Sequence, residues 1–198
     1  DSEFNRGNNH IDFLKENYLN CSSIEVDLNE TFESFKNTLS DDIKNHHLAM
    51  ANSRARLRMT SLYAIAQYNN FLVVGTGNKI EDFGIGFFTK YGDGGVDLSP
   101  IADLLKSEVY SLATELEVIK EIQNAKPTDG LWGDNRTDED QIGASYDELE
   151  WAMNYKGAID NLSNREKEVL VIYKNLNKIN QHKMIPIPVC SIPKSLRN

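Results

Sequence analysis

A short apolar run that ends on glycine, Phe71-Leu-Val-Val-Gly75, constrains this chain more than any other feature. Four apolar residues in a row are the pattern of a strand covered on both faces, as in a parallel sheet. The run breaks at Gly75 and enters a loop that reaches Asp97. Seven glycines there are interleaved with Thr76, Lys79, Glu81, Asp82, Lys90, Asp93 and Asp97. A hydroxyl, cations and carboxylates set among glycines just past a strand end mark the place where α/β proteins hold phosphorylated ligands. Thr76 can hydrogen-bond a nucleotide there, and Glu81 can hold Mg²⁺ through carboxylate oxygen. Lys90 and Lys106 can neutralise phosphate as point charges, while Asp93 and Asp97 can accept from ribose or carboxamide groups. For any one of these taken singly, an exposed loop charge is the plain alternative.

Apolar spacing elsewhere predicts the elements that carry this loop. Ile11, Leu14 and Tyr18 suggest a helix over 10–18, and 24–28 alternates as a strand. A second short helix covers 31–39. From about residue 47 to 69 one stripe holds Leu48, Ala51, Ala55, Met59, Leu62 and Ala66, with Leu57, Ala64 and Ile65 beyond it. A helix apolar on most sides is expected to be buried. Further helices are expected through Val109, Leu112, Ala113 and Leu116, then as a short element stopped by Pro127, then over 145–154. A last one opens on the capping box Ser163-Asn-Arg-Glu166 and runs to about Asn180. Residues 129–140 form a charged loop with Gly130, Trp132 and Gly133, and 184–198 an extended, proline-rich tail. Alternating helices and strands imply an α/β class, with a parallel sheet flanked by helices in a single domain over 1–198. Two visible strands cannot cover such a sheet, so others are expected from residues before Asp1 or from a partner.

A chain of 198 residues suits one domain. The net charge of -9 argues against a nucleic-acid binder. No apolar run approaches the ~20 residues of a membrane helix, and the N-terminus lacks the order of a signal peptide. A cytoplasmic setting with no membrane partner is the default expectation. Cys21 and Cys190 give neither a disulfide framework nor paired metal-ligand spacing, and are expected to be reduced and buried. Gly75 and Gly77 fit two positions of the dinucleotide fingerprint, but Ile80 stands at the third. No Gly-Lys-Ser/Thr phosphate loop occurs. Arg54, Arg56 and Arg58 sit on the apolar helix, Arg54 and Arg58 on one face and Arg56 about 200° from Arg54. Three guanidinium groups on such a helix call for anions, from a ligand or from carboxylates of the same domain.

A set of segments in order carries a resemblance: Ala55-Arg-Leu-Arg-Met59, Gly75-Thr-Gly-Asn-Lys-Ile-Glu81, Gly86-Phe-Phe-Thr-Lys-Tyr-Gly-Asp-Gly-Gly95, Asp97-Leu-Ser-Pro-Ile101, Lys126-Pro-Thr-Asp-Gly-Leu-Trp132, Thr137-Asp-Glu-Asp-Gln-Ile-Gly143 and His182-Lys183. Together, over roughly 26–183, the chain resembles the ammonia-dependent NAD⁺ synthetases. The resemblance implies a Rossmann-like fold of the adenine nucleotide alpha hydrolase type. It also implies a reaction, in which ATP adenylylates the carboxylate of deamido-NAD⁺ and ammonia displaces AMP to form NAD⁺. On that basis Thr76, Lys106 and Thr128 take ATP-contacting places and Glu81 the Mg²⁺ place. Arg56, Lys90, Asp97, His182 and Lys183 take the deamido-NAD⁺ places. A homodimer with the dinucleotide at its interface is implied too, with the Arg56 helix contributing to it.

The chain departs from the family pattern in two ways. The Glu81–Lys90 segment is one residue longer than in the commonest form. The Ser-Gly-Gly-x-Asp-Ser loop, which cradles pyrophosphate in the family, does not occur among these residues, although Asp1-Ser2 echoes its end. The expectation is a C-terminal portion without the first strands and without activity alone. The alternative is a truncated, inactive dinucleotide-binding dimer.

Overall fold

The computed structural model describes residues 2–128, 130 and 136–197. Asp129, Trp132 and Gly133 of the expected charged loop lie outside them. Four helices come first: α1 (Ser2–Asn17), α2 (Asn29–Asn37), α3 (Asp41–Lys44) and α4 (His47–Asn69). A π-helix spans Lys79–Ile85. Then follow α5 (Lys106–Glu115), α6 (Lys120–Gln123), α7 (Asp138–Ile142), α8 (Tyr146–Asn154) and α9 (Asn164–Met184). The tail after α9 is non-helical apart from a 3₁₀ turn at Lys194–Leu196.

The helix starts obey local chemistry. Ser145 and Ser163 each accept the backbone N–H three residues on, and Glu148 and Glu166 return the bond to the serine N–H. Helix α4 ends as Asn70 turns left-handed at φ 57° and lets Phe71 N–H reach the Ala66 carbonyl at 2.8 Å. The core lies in the second half of the chain. Ile80 and Ile85 of the π-helix pack with Ile142, Tyr146, Leu149, Val169 and Leu170 from α7, α8 and α9. Ile80, Ile85 and Leu149 are fully buried, and each such side chain contributes roughly 1.5–3 kcal/mol. The π-helix, which carries much of the glycine-rich loop's chemistry, is therefore built into the core.

Several sequence expectations are corrected. Residues 24–28 form no strand: Ile24 and Val26 are exposed and pair with no other segment among the described residues. Alternation prepares a strand, but ladder partners make one. The 71–74 run is reduced to a single parallel bridge, Val74 to Leu98. Val73 is buried, whereas Phe71, Leu72 and Val74 are exposed. Helix α4 buries Met50, Ala51, Ala55 and Ala66, while Leu48 and Leu62 of its expected stripe face solvent at 52% and 54%. Its Arg54 guanidinium lies 4.5 Å from the Phe32 ring centre, so this cation docks α2 on α4. Both thiols are exposed, because Cys21 follows the end of α1 and Cys190 lies in the tail, away from the core.

Arg165 ties α9 to α8. Its Nε and one terminal nitrogen meet the two Glu148 oxygens at 2.7 Å each, and it also reaches Glu168 and the Gly143 carbonyl. This bidentate contact, with bonds from Ser145, holds the Glu148 carboxyl near about 2, below its ordinary 4.5. A depressed carboxylate stabilises the fold above its unfolded value, and that contribution is lost as pH falls through the folded one. Arg165→Ala is thus expected to unfold at lower denaturant than the parent at pH 7. The gap should shrink as pH drops from 4.5 through about 2. Urea midpoints across that range provide the check.

Candidate functional site

Asn78 starts the π-helix. Its side-chain oxygen accepts the N–H groups of Ile80 (3.0 Å) and Glu81 (3.1 Å), and Glu81 Oε2 accepts Asn78 N–H at 3.3 Å. Asn78 is 1% exposed, so this cap is sealed from water. The other Glu81 oxygen, Oε1, faces two donors: Lys106 Nζ at 2.9 Å and the Tyr146 hydroxyl at 2.6 Å. The Lys106 ammonium also lies 4.6 Å from the Tyr146 ring centre. A π turn closes its ring with one more residue than an α turn.

Gly86 caps the π-helix in the left-handed region at φ 63°. Beyond it, α9 meets the backbone carbonyls that the turn leaves open. Asn177 donates to Gly84 O (2.7 Å), Asn180 to Ile85 O (2.8 Å), and Lys183 to Gly86 O (2.9 Å) and Phe88 O (2.7 Å). The three donors stand three residues apart on one helix face. Lys90 Nζ reaches back to the His182 carbonyl at 2.5 Å, and Arg56 Nε donates to the Lys90 carbonyl at 3.2 Å. Of the four residues expected on one ligand, Arg56 and Lys90 share a hydrogen bond, Lys90 holds the backbone carbonyl of His182, the His182 ring lies against the Ile179 carbonyl, and Lys183 holds the Gly86 and Phe88 carbonyls. Lys90 and Lys183 line a cavity of about 240 Å³ together with Gly75, Gly77, Asp82 and Asp93.

The remaining expected residues are placed elsewhere or used differently. Asp97 accepts Val73 N–H at 2.7 Å and the Tyr63 hydroxyl at 3.1 Å, fastening the strand end and α4 to the loop. Thr76 is exposed between the cavity-lining Gly75 and Gly77. Lys106 and Thr128 line a second cavity of about 540 Å³ with Arg6, Arg58 and Lys126, beside Glu3 and apolar residues of α5 and α6. Among the described residues no group of three or more His, Cys, Asp or Glu could hold a metal ion. Mg²⁺ is commonly held by one or two carboxylates plus substrate phosphates. Glu81 therefore fits as one protein ligand to a phosphate-bound Mg²⁺, not as part of a protein-only cage.

Burial, then the neighbouring Glu81 and Asp93 carboxylates, pushes Asp82 up to about 6. Burial lowers Lys183, against the attraction of Asp93 and together with the repulsion of Arg56. Burial and the Glu81 and Asp138 carboxylates raise the Tyr146 phenol well above its ordinary value. Sequence reading passed over Asn78, Tyr146, Asn177 and Asn180. The Asn-x-x-Glu spacing of a capping box and a polar stripe at three-residue spacing on α9 were available signals. Tyr146 had none, since a tyrosine in an apolar helix pattern reads as core.

Residues 8–186 match the NAD synthase family profile. The NH(3)-dependent NAD(+) synthetase of Mesoplasma florum is 44% identical over 162 residues, 81% of this chain and 63% of that protein. The one from Mycoplasmopsis pulmonis is 49% identical over 133 residues, 67% of this chain and 50% of its own length. These two matches span between half and two thirds of the relatives' lengths. Among solved structures, the NMN synthetase of Francisella tularensis aligns with a TM-score of 0.75 at 30% identity, over 93% of this chain and 71% of that one. The NH3-dependent NAD synthetase of Campylobacter jejuni shares the fold at TM-score 0.62 and 24% identity, over 84% and 64% of the two chains. By fold, then, the molecule stands with the NAD and NMN synthetases. The chain belongs to the NAD synthase family.

Two outcomes test this geometry. A Cβ on Gly86 would lie 2.5 Å from Asn180 Cβ, in a left-handed backbone position. Gly86→Ala is expected to destabilise by roughly 2–4 kcal/mol, read from denaturant midpoints. A raised carboxyl favours the fold below its unfolded value of 3.8, and that contribution is lost as pH rises through about 6. Asp82→Asn should therefore gain melting temperature over the parent between pH 4 and pH 8, with little gain at pH 4.

Proposed function

We propose that this chain serves the ATP-dependent amidation of deamido-NAD⁺ with ammonia, giving NAD⁺, AMP and pyrophosphate. One observation carries the reading: Lys90 and Lys183 line one cavity, Arg56 and the His182 carbonyl are tied to Lys90, and Glu81 pairs with Lys106. A free carboxylate resists attack because its oxygen is a poor leaving group. ATP converts it to an acyl-adenylate, breaking the α–β phosphate bond and releasing pyrophosphate. The nitrogen of ammonia then bonds to the acyl carbon as the bond to AMP breaks, and a proton leaves to solvent.

In this scheme Lys106 and Thr128 meet the ATP phosphates from the larger cavity, and Thr76 contacts the nucleotide at the strand end. Mg²⁺, held by Glu81, would supply charge neutralisation to those phosphates. Arg56, Lys90 and Lys183 orient the anionic dinucleotide, with His182 and Asp97 at the edges of its place. Catalysis of this kind rests on positioning and charge. The same reading takes the Val74–Leu98 bridge as part of a parallel sheet flanked by helices. It treats 1–198 as one synthetase domain with a 184–198 tail, acting as a cytoplasmic homodimer that shares the dinucleotide.

The purified chain is assayed for NAD⁺ and AMP with ATP, Mg²⁺, ammonia and deamido-NAD⁺, and for deamido-NAD⁺ binding by calorimetry. NAD⁺ with stoichiometric AMP supports the reading and overturns the expectation that these residues are inactive alone. Binding without AMP release favours an inactive dinucleotide-binding dimer, and no binding sinks both. Formation of NMN from the corresponding mononucleotide in place of NAD⁺ would align the chain with the Francisella tularensis neighbour. Lys106→Met is expected to lower turnover about a hundredfold, with deamido-NAD⁺ affinity held within about threefold because the dinucleotide cations are untouched.

A further inference from the structure

Three groups converge where the two halves of the site meet. The Tyr146 hydroxyl and the Lys106 ammonium address the same oxygen of Glu81, at 2.6 and 2.9 Å, and the Tyr146 ring face lies 4.6 Å from that ammonium. We propose that Tyr146 is a positioning residue that holds the Glu81 carboxylate and the Lys106 ammonium in one arrangement, so that an Mg²⁺–phosphate ligand meets both together. This rests on the reading of Glu81 and Lys106 given above.

Tyr146 is fit for that part because the fold, and not a ligand, fixes it. It is 5% exposed and packs with Ile80 and Leu149 in the core. Its own N–H is held by Glu139 Oε1 at 2.9 Å, and the start of α8 by the Ser145–Glu148 capping box. Lysine carries its charge on a flexible stem, so a ring beneath the ammonium and a fixed carboxylate before it narrow the positions it explores. Lys106 also lines both the cavity it shares with Thr128 and a neighbouring one of about 290 Å³ that Tyr146 lines. The hydroxyl thus fixes the Glu81 oxygen that it shares with Lys106, as partners beyond the ligand shell do in metal sites.

Tyr146→Phe keeps the ring and removes the hydroxyl. ATP affinity is measured by calorimetry for the unaltered chain and the variant, each with and without Mg²⁺. The factor by which Mg²⁺ strengthens ATP binding should fall about tenfold or more, with Mg²⁺-free affinity kept within about twofold. A merely structural role would lower the melting temperature and weaken both affinities alike, and that result overturns the proposal. So does an unchanged Mg²⁺ factor, which leaves the reading of the site intact. Absence of Mg²⁺-dependent ATP binding by the unaltered chain overturns both. A second readout needs no change at Tyr146. Mg²⁺ with inorganic tripolyphosphate, which does not absorb there, should perturb the near-ultraviolet tyrosine band of the unaltered chain but not of Glu81→Gln. No perturbation, or an equal one in Glu81→Gln, overturns the proposal.

Discussion

The open carbonyls at the end of the π-helix are the constraint on which the site depends. A helix end buried without partners is costly, because each orphan group loses water and gains nothing. Here α9 supplies the partners: Asn177, Asn180 and Lys183 meet the carbonyls of residues 84, 85, 86 and 88 in register. That row fixes the course of the chain into Lys90. It also brings His182 and Lys183 beside Lys90 from more than ninety residues away in sequence. The same contacts explain why residue 86 has no side chain, since the Asn180 Cβ occupies the space that one would need.

Glu81 joins this scaffold to the chemistry. One of its oxygens closes the capping box on Asn78, and the other faces Lys106 and Tyr146. A carboxylate that starts a helix has its backbone position and one oxygen already set, which leaves little reorganisation at the moment a ligand arrives. The cost appears next door, where Asp82 is half-buried beside Glu81 and is pushed up to about 6. Net charge misleads at this scale. The chain carries -9 overall, yet Arg56, Lys90 and Lys183 gather at one end and Arg6, Arg58, Lys106 and Lys126 line the larger cavity.

What was legible in the sequence was local. The ends of α4 and the opening of α9 followed from apolar spacing and a capping box. The residue types of the glycine-rich loop are what the expectation of phosphate chemistry rests on. What was not legible depended on partners distant in the chain. Residues 24–28 alternate correctly for a strand but find no ladder among the described residues, and Leu48 and Leu62 of the six-residue apolar stripe on α4 find no cover. Asp97 accepts hydrogen bonds from Val73 and Tyr63, partners that its place in the sequence does not reveal.

The sequence by itself determined which chemical groups this protein carries in and around the glycine-rich loop, because those groups lie in short segments whose order and spacing survive any fold. Only the tertiary structure decided which of them act together. It set Lys183 under the loop, fastened Asp97 to Val73 and Tyr63, and placed Tyr146 behind Glu81. Those outcomes come from satisfying buried carbonyls and filling a core, and both require residues that one-dimensional spacing cannot pair.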